Sequence, residues 1–241
     1  VCASSPWEAR LGREEFGGEV HSFAAAFKES DVVELLSISD HLVFNSFNQL
    51  ESFRPLWKKE QGRVSIGLRV NPEHSEGHTE LYDPCAPNSR LGIKRSEFEG
   101  KSLDGIEGLH FHTLCEHLFE PLARTVEVFE EKFGAFLPQM KWINLGGGHH
   151  ITREGYDLDG LISLVRYLKD KYDVEVYLEP GEAIAIGTGL LVGEVLDVVP
   201  GDIETAILDV SATCHMPDIL EMPYRPEISG GYDPGVKAQT Y

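Results

Sequence analysis

The sequence predicts an α/β fold on a parallel sheet, of the (β/α)8 barrel kind, followed by the start of a β-rich domain. Three observations carry that expectation. Short apolar runs with little polar alternation recur through residues 1–186, as in parallel strands covered on both faces. Helical patterns separate most of these runs. Beyond residue 187 the helical patterns give way to consecutive β-like runs.

The strand expectations, in order, are Val1–Ser4, Glu19–Phe23, His41–Ser46, Val64–Val70, Gly108–Thr113, Trp142–Gly146 and Val174–Glu179. A closed barrel has eight strands, and the chain begins inside a strand without a methionine. A first strand upstream of Val1 is therefore expected. Helices are expected at Pro6–Glu15, with Trp7 and Leu11 one turn apart, and at Asp31–Leu36 after a Ser30-Asp31 start signal. Phe119–Phe133 carries Leu122, Val126, Phe129 and Phe133 on one face. Leu158–Tyr172 does the same with Leu161, Leu164, Val165 and Leu168. In the second domain, Gly187–Val199 and Ile203–Thr213 flank the turn Pro200-Gly201-Asp202. The chain stops after Gly230-Gly231-Tyr232-Asp233-Pro234-Gly235, in what reads as a loop, so the domain 187–241 is expected to be incomplete.

Composition narrows the function classes. The 241 residues are 41% hydrophobic and 25% charged, ordinary for a globular protein. No apolar run reaches the ~18 residues of a membrane helix. Cys2, Cys85, Cys115 and Cys214 form no CxxC pair, which argues against a disulfide framework or zinc knuckle and for a reducing cytoplasm. A net charge of −19 repels nucleic acid. It serves solubility, or a polycationic substrate; charge alone does not choose.

Barrel active sites lie at the C-terminal ends of the strands, and four motifs there are polar. Asn144-Leu145-Gly146-Gly147-Gly148-His149-His150 ends one strand. Three glycines let backbone N–H groups approach a phosphate, or form a flexible turn. Glu179-Pro180-Gly181-Glu182 ends the next. Glu179 there is a fixed acid that can hydrogen-bond a pyridinium nitrogen, or is simply an acid near a helix N-terminus. His110 and His112 share a strand face. They suit stacking on a flat cofactor, metal ligation with His149 or His150, or plain core packing. Arg69 at a strand end orients Glu179, touches a phosphate or makes a structural ion pair. Further on, Asp209, His215, Asp218 and Glu221 bind an amine tail or belong to a solvated loop.

The order of these motifs resembles the pyridoxal-phosphate (PLP) decarboxylases of fold type III, which act on ornithine, arginine, diaminopimelate and related substrates on an alanine racemase-type barrel. The run Ala3-Ser4-Ser5-Pro6-Trp7-Glu8-Ala9-Arg10-Leu11-Gly12 resembles the carboxynorspermidine/carboxyspermidine decarboxylase branch. So do the stretches from Leu81-Tyr82-Asp83-Pro84-Cys85 to Arg90-Leu91-Gly92-Ile93 and from Cys214-His215-Met216-Pro217-Asp218 to Met222-Pro223-Tyr224-Arg225-Pro226.

The resemblance implies that His112 stacks on the PLP ring and Glu179 pairs with its nitrogen. It implies that Gly146, Gly147, Gly148 and Gly181 hold the phosphate, with Cys115 close by, and that Arg69 supports Glu179. Where the ornithine-type pattern has an arginine after Glu-Pro-Gly, this chain has Glu182. With Asp218 it is implied to grip the amines of a carboxypolyamine. The resemblance also implies a homodimer with active sites at its interface, whose catalytic Cys and neighbouring Asp fall after the end of this chain. The lysine that holds the cofactor is expected upstream of Val1. Lys28, Lys58, Lys59, Lys94, Lys101, Lys132, Lys141, Lys169, Lys171 and Lys237 all sit in helix or loop contexts. The rival readings are a metal-dependent barrel hydrolase using His110 and His112, and a PLP-binding protein that does not decarboxylate.

Overall fold

The computed structural model describes residues 1–77, 82–221 and 223–229. Leu81, Met222, Lys237 and the run Gly230-Gly231-Tyr232-Asp233-Pro234-Gly235 lie outside the described residues. The chain divides into two units, Val1–Ile186 and Gly187–Tyr241.

The first unit is a parallel sheet wrapped by helices. Its strands are β1 (Cys2–Ala3), β2 (His21–Phe23), β3 (His41–Phe44), β4 (Ser65–Asn71), β5 (Ile93–Lys94), β6 (Gly108–His110), β7 (Trp142–Asn144) and β8 (Glu175–Tyr177). They pair in the order β1-β2-β3-β4-β6-β7-β8, with β5 added to β4, and every pairing is parallel. Neighbours in sequence are thus neighbours in space, as in a barrel wall. The sheet curls. The Tyr177 ring of β8 lies 4.7 Å from His21 of β2 and 5.2 Å from His41 of β3.

Alternation sorts the side chains. Leu42, Phe44, Ile66, Leu68, Leu109 and Ile143 are buried in the apolar core, while His21, His41, Arg69, His110, Trp142, Asn144 and Tyr177 occupy the alternate positions. Trp142 fills the inside at the level of Gly67 and Gly108. A Cβ on Gly67 would meet the indole at 2.4 Å and one on Gly108 at 2.0 Å.

The helices follow their sequence signals. Helix α1 (Pro6–Leu11) opens with Pro6 and a Ser5 cap that accepts from the Glu8 amide, and Glu8 accepts in return from the Ser4 amide. A π-turn at Gly12–Phe16 continues it, so the expected helix changes its winding after Leu11. Helix α2 (Glu29–Ile38) runs two residues beyond its expected bounds at either end. Two further helices, α3 (Phe47–Ser52) and α4 (Arg54–Trp57), are additions to those expected from the sequence, where Pro55 breaks the periodicity. Helix α5 (Phe119–Phe133) buries the four residues expected of it. In α6 (Leu158–Tyr172), Leu161 and Leu168 are buried while Leu164 and Val165 pack partly against the core. Asp157 caps α6 at one end and Asp173, at φ 55°, ends it at the other. A last short helix, α7 (Gly181–Ala185), follows β8.

The second unit holds an antiparallel hairpin, β9 (Val195–Val199) with β10 (Thr205–Leu208), then two single-turn helices, α8 (Ala212–His215) and α9 (Asp218–Glu221). Asp209 accepts from the Glu194 amide at 2.8 Å and fastens the open end of the hairpin. Among the described residues no helix is long and apolar enough to cross a membrane.

Candidate functional site

The C-terminal ends of β4, β6, β7 and β8 gather Arg69, His110, Asn144 and, just beyond β8, Glu179. The centre of the group is Glu179. Its Oε1 accepts from Asn144 Nδ2 at 2.8 Å, its Oε2 lies 3.6 Å from His110 Nε2, and Cys2 of β1 lines the same cavity. Burial alone would raise the Glu179 carboxyl. Contact with His110, Asn144 and Cys2 outweighs burial and holds it down at about 2. Burial and the same carboxylate push the Cys2 thiol up to about 12.

Asn144 also shapes the loop that follows it, because its Oδ1 accepts from the Gly146 amide at 2.8 Å. One residue on, the Gly147 amide donates to His112 Nδ1 at 3.1 Å. That bond assigns the tautomer: Nδ1 accepts, so the proton of the neutral ring is on Nε2. Burial and the nearby Arg69 charge lower His112 to about 4, so the ring is neutral at pH 7. Arg69 Nη2 donates to the His112 carbonyl at 2.9 Å, and the guanidinium lies 4.7 Å from the Phe23 ring centre. Burial draws Arg69 down to about 10 against the pull of Glu179. Arg69 was expected to support Glu179. Among the described residues no ion pair joins the two, and the hydrogen bond that Arg69 makes is to the loop carrying His112.

The triple glycine is a built loop. Gly146 and Gly148 have φ 71° and 78°, and a Cβ on Gly147 or Gly148 would lie 2.1 Å from the Glu179 carbonyl or 1.9 Å from that of Leu114. Not all three amides point at a ligand, however, because those of Gly146 and Gly147 are spent on Asn144 and His112. His117 ties the far side of the loop. Its amide donates to the Gly148 carbonyl at 3.0 Å, its Nδ1 accepts from the Cys115 amide at 3.1 Å, and its Nε2 contacts the Glu76 carbonyl at 2.7 Å. The Cys115 amide therefore abuts Gly148, while the Cys115 thiol is exposed. Across from the loop, Gly181 opens α7 beside empty space.

Glu182 is on α7, and His150 Nε2 stands 2.7 Å from its Oε2. Asp218 belongs to the second unit. A cavity of about 110 Å³ inside the curled sheet is lined by Cys2, Ser4, Phe23, His110, Asn144 and Glu179 among others, and no lysine lines it.

The structure does not assemble the metal site considered for His110 and His112. His112 turns to the glycine loop, and His110 faces Glu179. Among the described residues, three ligand atoms converge at Glu19, His21 and His41 instead. There the two imidazoles stack in parallel at 4.0 Å, 8° apart, which directs their in-plane lone pairs side by side and not at one ion. The sequence marks Asn144, Cys2 and His150 only as parts of motifs. A polar residue closing a β-strand ahead of the glycines is the available signal for Asn144.

These shifts give an acid response. His41, lowered chiefly by burial, and His112 fall from an ordinary 6.5 to about 4. Glu179, and Glu76 through its Arg124 pairing, fall from 4.5 to about 2. All four folded values lie below the unfolded ones, so the unfolded state takes up protons first as pH drops. Their stabilisation is complete above pH 6.5, is lost in part between about 6.5 and 4 through the histidines, and further towards 2 through the carboxylates. The urea midpoint is expected to fall steadily from pH 7 to pH 4; a flat midpoint across that range would contradict these assignments.

No protein-family model matches the chain. It is 48% identical over 93% of its length to the carboxynorspermidine/carboxyspermidine decarboxylase of Campylobacter jejuni, of which it covers 58%. It is 43% identical, over its whole length, to 62% of the carboxyaminopropylagmatine decarboxylase of Synechocystis. Among solved structures, carboxynorspermidine decarboxylase from Campylobacter jejuni, crystallised with norspermidine, superposes on 94% of this chain with a TM-score of 0.84 and 46% identity. The chain covers 58% of that structure, and so spans about three fifths of the relatives it matches. Over that shared portion, the chain is similar to the carboxynorspermidine/carboxyspermidine decarboxylases.

Proposed function

We propose that this chain carries the cofactor-binding barrel of a PLP-dependent decarboxylase acting on a carboxypolyamine, carboxynorspermidine or carboxyspermidine, in polyamine synthesis. The observation that carries the reading is the juxtaposition of a half-buried, ionised Glu179 with a neutral His112 that is fixed by the neighbouring glycine loop.

These residues fit PLP. Glu179, held at Oε1 by Asn144, accepts the ring N–H and keeps it protonated. His112, with Nδ1 committed to Gly147 and its carbonyl clamped by Arg69, offers a flat uncharged face to the ring. Gly148 and the open space at Gly181 take the phosphate, beside the Cys115 amide, while Gly146 and Gly147 shape the loop. When bound, PLP supplies the electron sink that allows a Cα–carboxylate bond to break. Glu182, already partnered by His150, binds a distal ammonium group of the substrate through charge-assisted hydrogen bonds, and Asp218 is a further acid suited to an ammonium group. The net charge of −19 draws a polycation in. The active assembly in this reading is a cytoplasmic homodimer with shared active sites; no lysine lines the cavity beside Glu179.

The test is an absorbance titration of the chain with PLP, before and after borohydride. Saturable binding that borohydride does not make permanent is expected. A borohydride-fixed adduct would assign the cofactor lysine to this chain, and absence of binding would overturn the reading.

A further inference from the structure

His110 is a buried titratable group that the reading above leaves without a role. It is 2% exposed, and neither ring nitrogen has a hydrogen-bond partner. A buried imidazole carries an N–H that needs an acceptor. The acceptor facing it is Glu179 Oε2, at 3.6 Å. The edge of Phe23 closes another side, with ring centres 5.5 Å apart. Oε1 of the same carboxylate is already taken by Asn144. The cavity of about 110 Å³ beside the pair is large enough for water, and its polar walls supply partners for one. The other ionisable groups facing the carboxylate are Cys2 from β1, Arg69 from β4 and His112 just past β6.

We propose that His110 is a positioning residue. It donates from Nε2 to Glu179 Oε2, directly or through one water, and so fixes the plane of the carboxylate that receives the ring nitrogen of PLP. Asn144 anchors Oε1; a nitrogen donor on Oε2 adds a second anchor against rotation of the carboxylate about that contact. The proposal rests on the ring-nitrogen role proposed for Glu179. It predicts that His110 acts on one atom of the ligand, the ring nitrogen, and not on the phosphate.

The test compares the affinity of the chain for PLP with that for 1-deaza-pyridoxal phosphate, which has a CH in place of the ring nitrogen. The unaltered chain is expected to favour PLP by about tenfold or more, as for a hydrogen bond to a charged group. His110→Leu should reduce that preference at least about fivefold with little change in binding of the deaza compound. His110→Gln, which keeps a donor, should restore most of it. The ratio cancels any loss common to both ligands, and His110→Phe serves in place of a leucine variant that fails to fold. An unchanged ratio in the apolar variant, or a glutamine variant as impaired as leucine, overturns the role of His110 alone. No preference in the unaltered chain overturns the ring-nitrogen role of Glu179, and the proposal with it.

Discussion

In an enzyme of the proposed function, replacing Glu179 with alanine is expected to lower turnover at least about 100-fold, the scale of losing a preorganised electrostatic contact at an active site. The fold should survive, because Glu179 lies beyond the end of β8 and belongs to no strand or helix. The cost to stability is the unpairing of Asn144 Nδ2, about 1–3 kcal/mol for a buried donor. Glutamine at 179 separates shape from charge: it can accept from Asn144 but cannot hold a proton on the ring nitrogen. Turnover and thermal unfolding measured together check this. Near-normal turnover in the alanine variant would remove Glu179 from the chemistry.

Alanine in place of Gly108 is expected to destabilise the barrel by about 3 kcal/mol or more, at the severe end of overpacking. The added Cβ would sit 2.0 Å from Trp142 Cδ2 and 2.1 Å from Cε2, far inside van der Waals contact. The indole cannot retreat easily. It is 3% exposed, its Nε1 donates to Ser65 Oγ at 2.8 Å, and Gly67 makes room for its far edge. Urea unfolding checks the size of the effect. A cycle with Trp142→Leu should show that the two changes are coupled, since the smaller side chain vacates the space the methyl needs. A Gly108→Ala protein as stable as its parent would mean that Trp142 does not fill the inside at this level.

Much of this architecture is legible in the sequence, for identifiable reasons. Helices α5 and α6 have the bounds expected of them because an unbroken 3.6-residue apolar stripe ends each time at a residue that cannot continue it well. The strands fall where expected; β4 keeps its expected length, shifted by one residue, and the others of the first unit are shorter. Thr113, Gly146 and Glu179 follow their strands in sequence yet leave the ladder, since at the mouth the backbone bonds to loops and site side chains. Helices α3 and α4 are hidden by Pro55, and β5 is too short to show a pattern. Within the site, residue type and strand position identify Glu179, His112 and the glycines. The commitment of the Gly147 amide to His112, the double use of Asn144 and the turn of Arg69 towards the His112 carbonyl are not legible. Each joins residues that are distant in the chain or set by loop geometry, and parity along one strand carries no information about what its neighbour presents.

Asn144 sets a dimension. One end of its carboxamide must accept from Gly146 and the other must donate to Glu179, so the group cannot be flipped without breaking both bonds. The glycine loop and the acid are therefore held at a spacing equal to a single planar amide, a ruler with no rotatable bond between its two marks. A ligand that engages both must match that length, and the protein can neither lengthen nor shorten it by changing a rotamer.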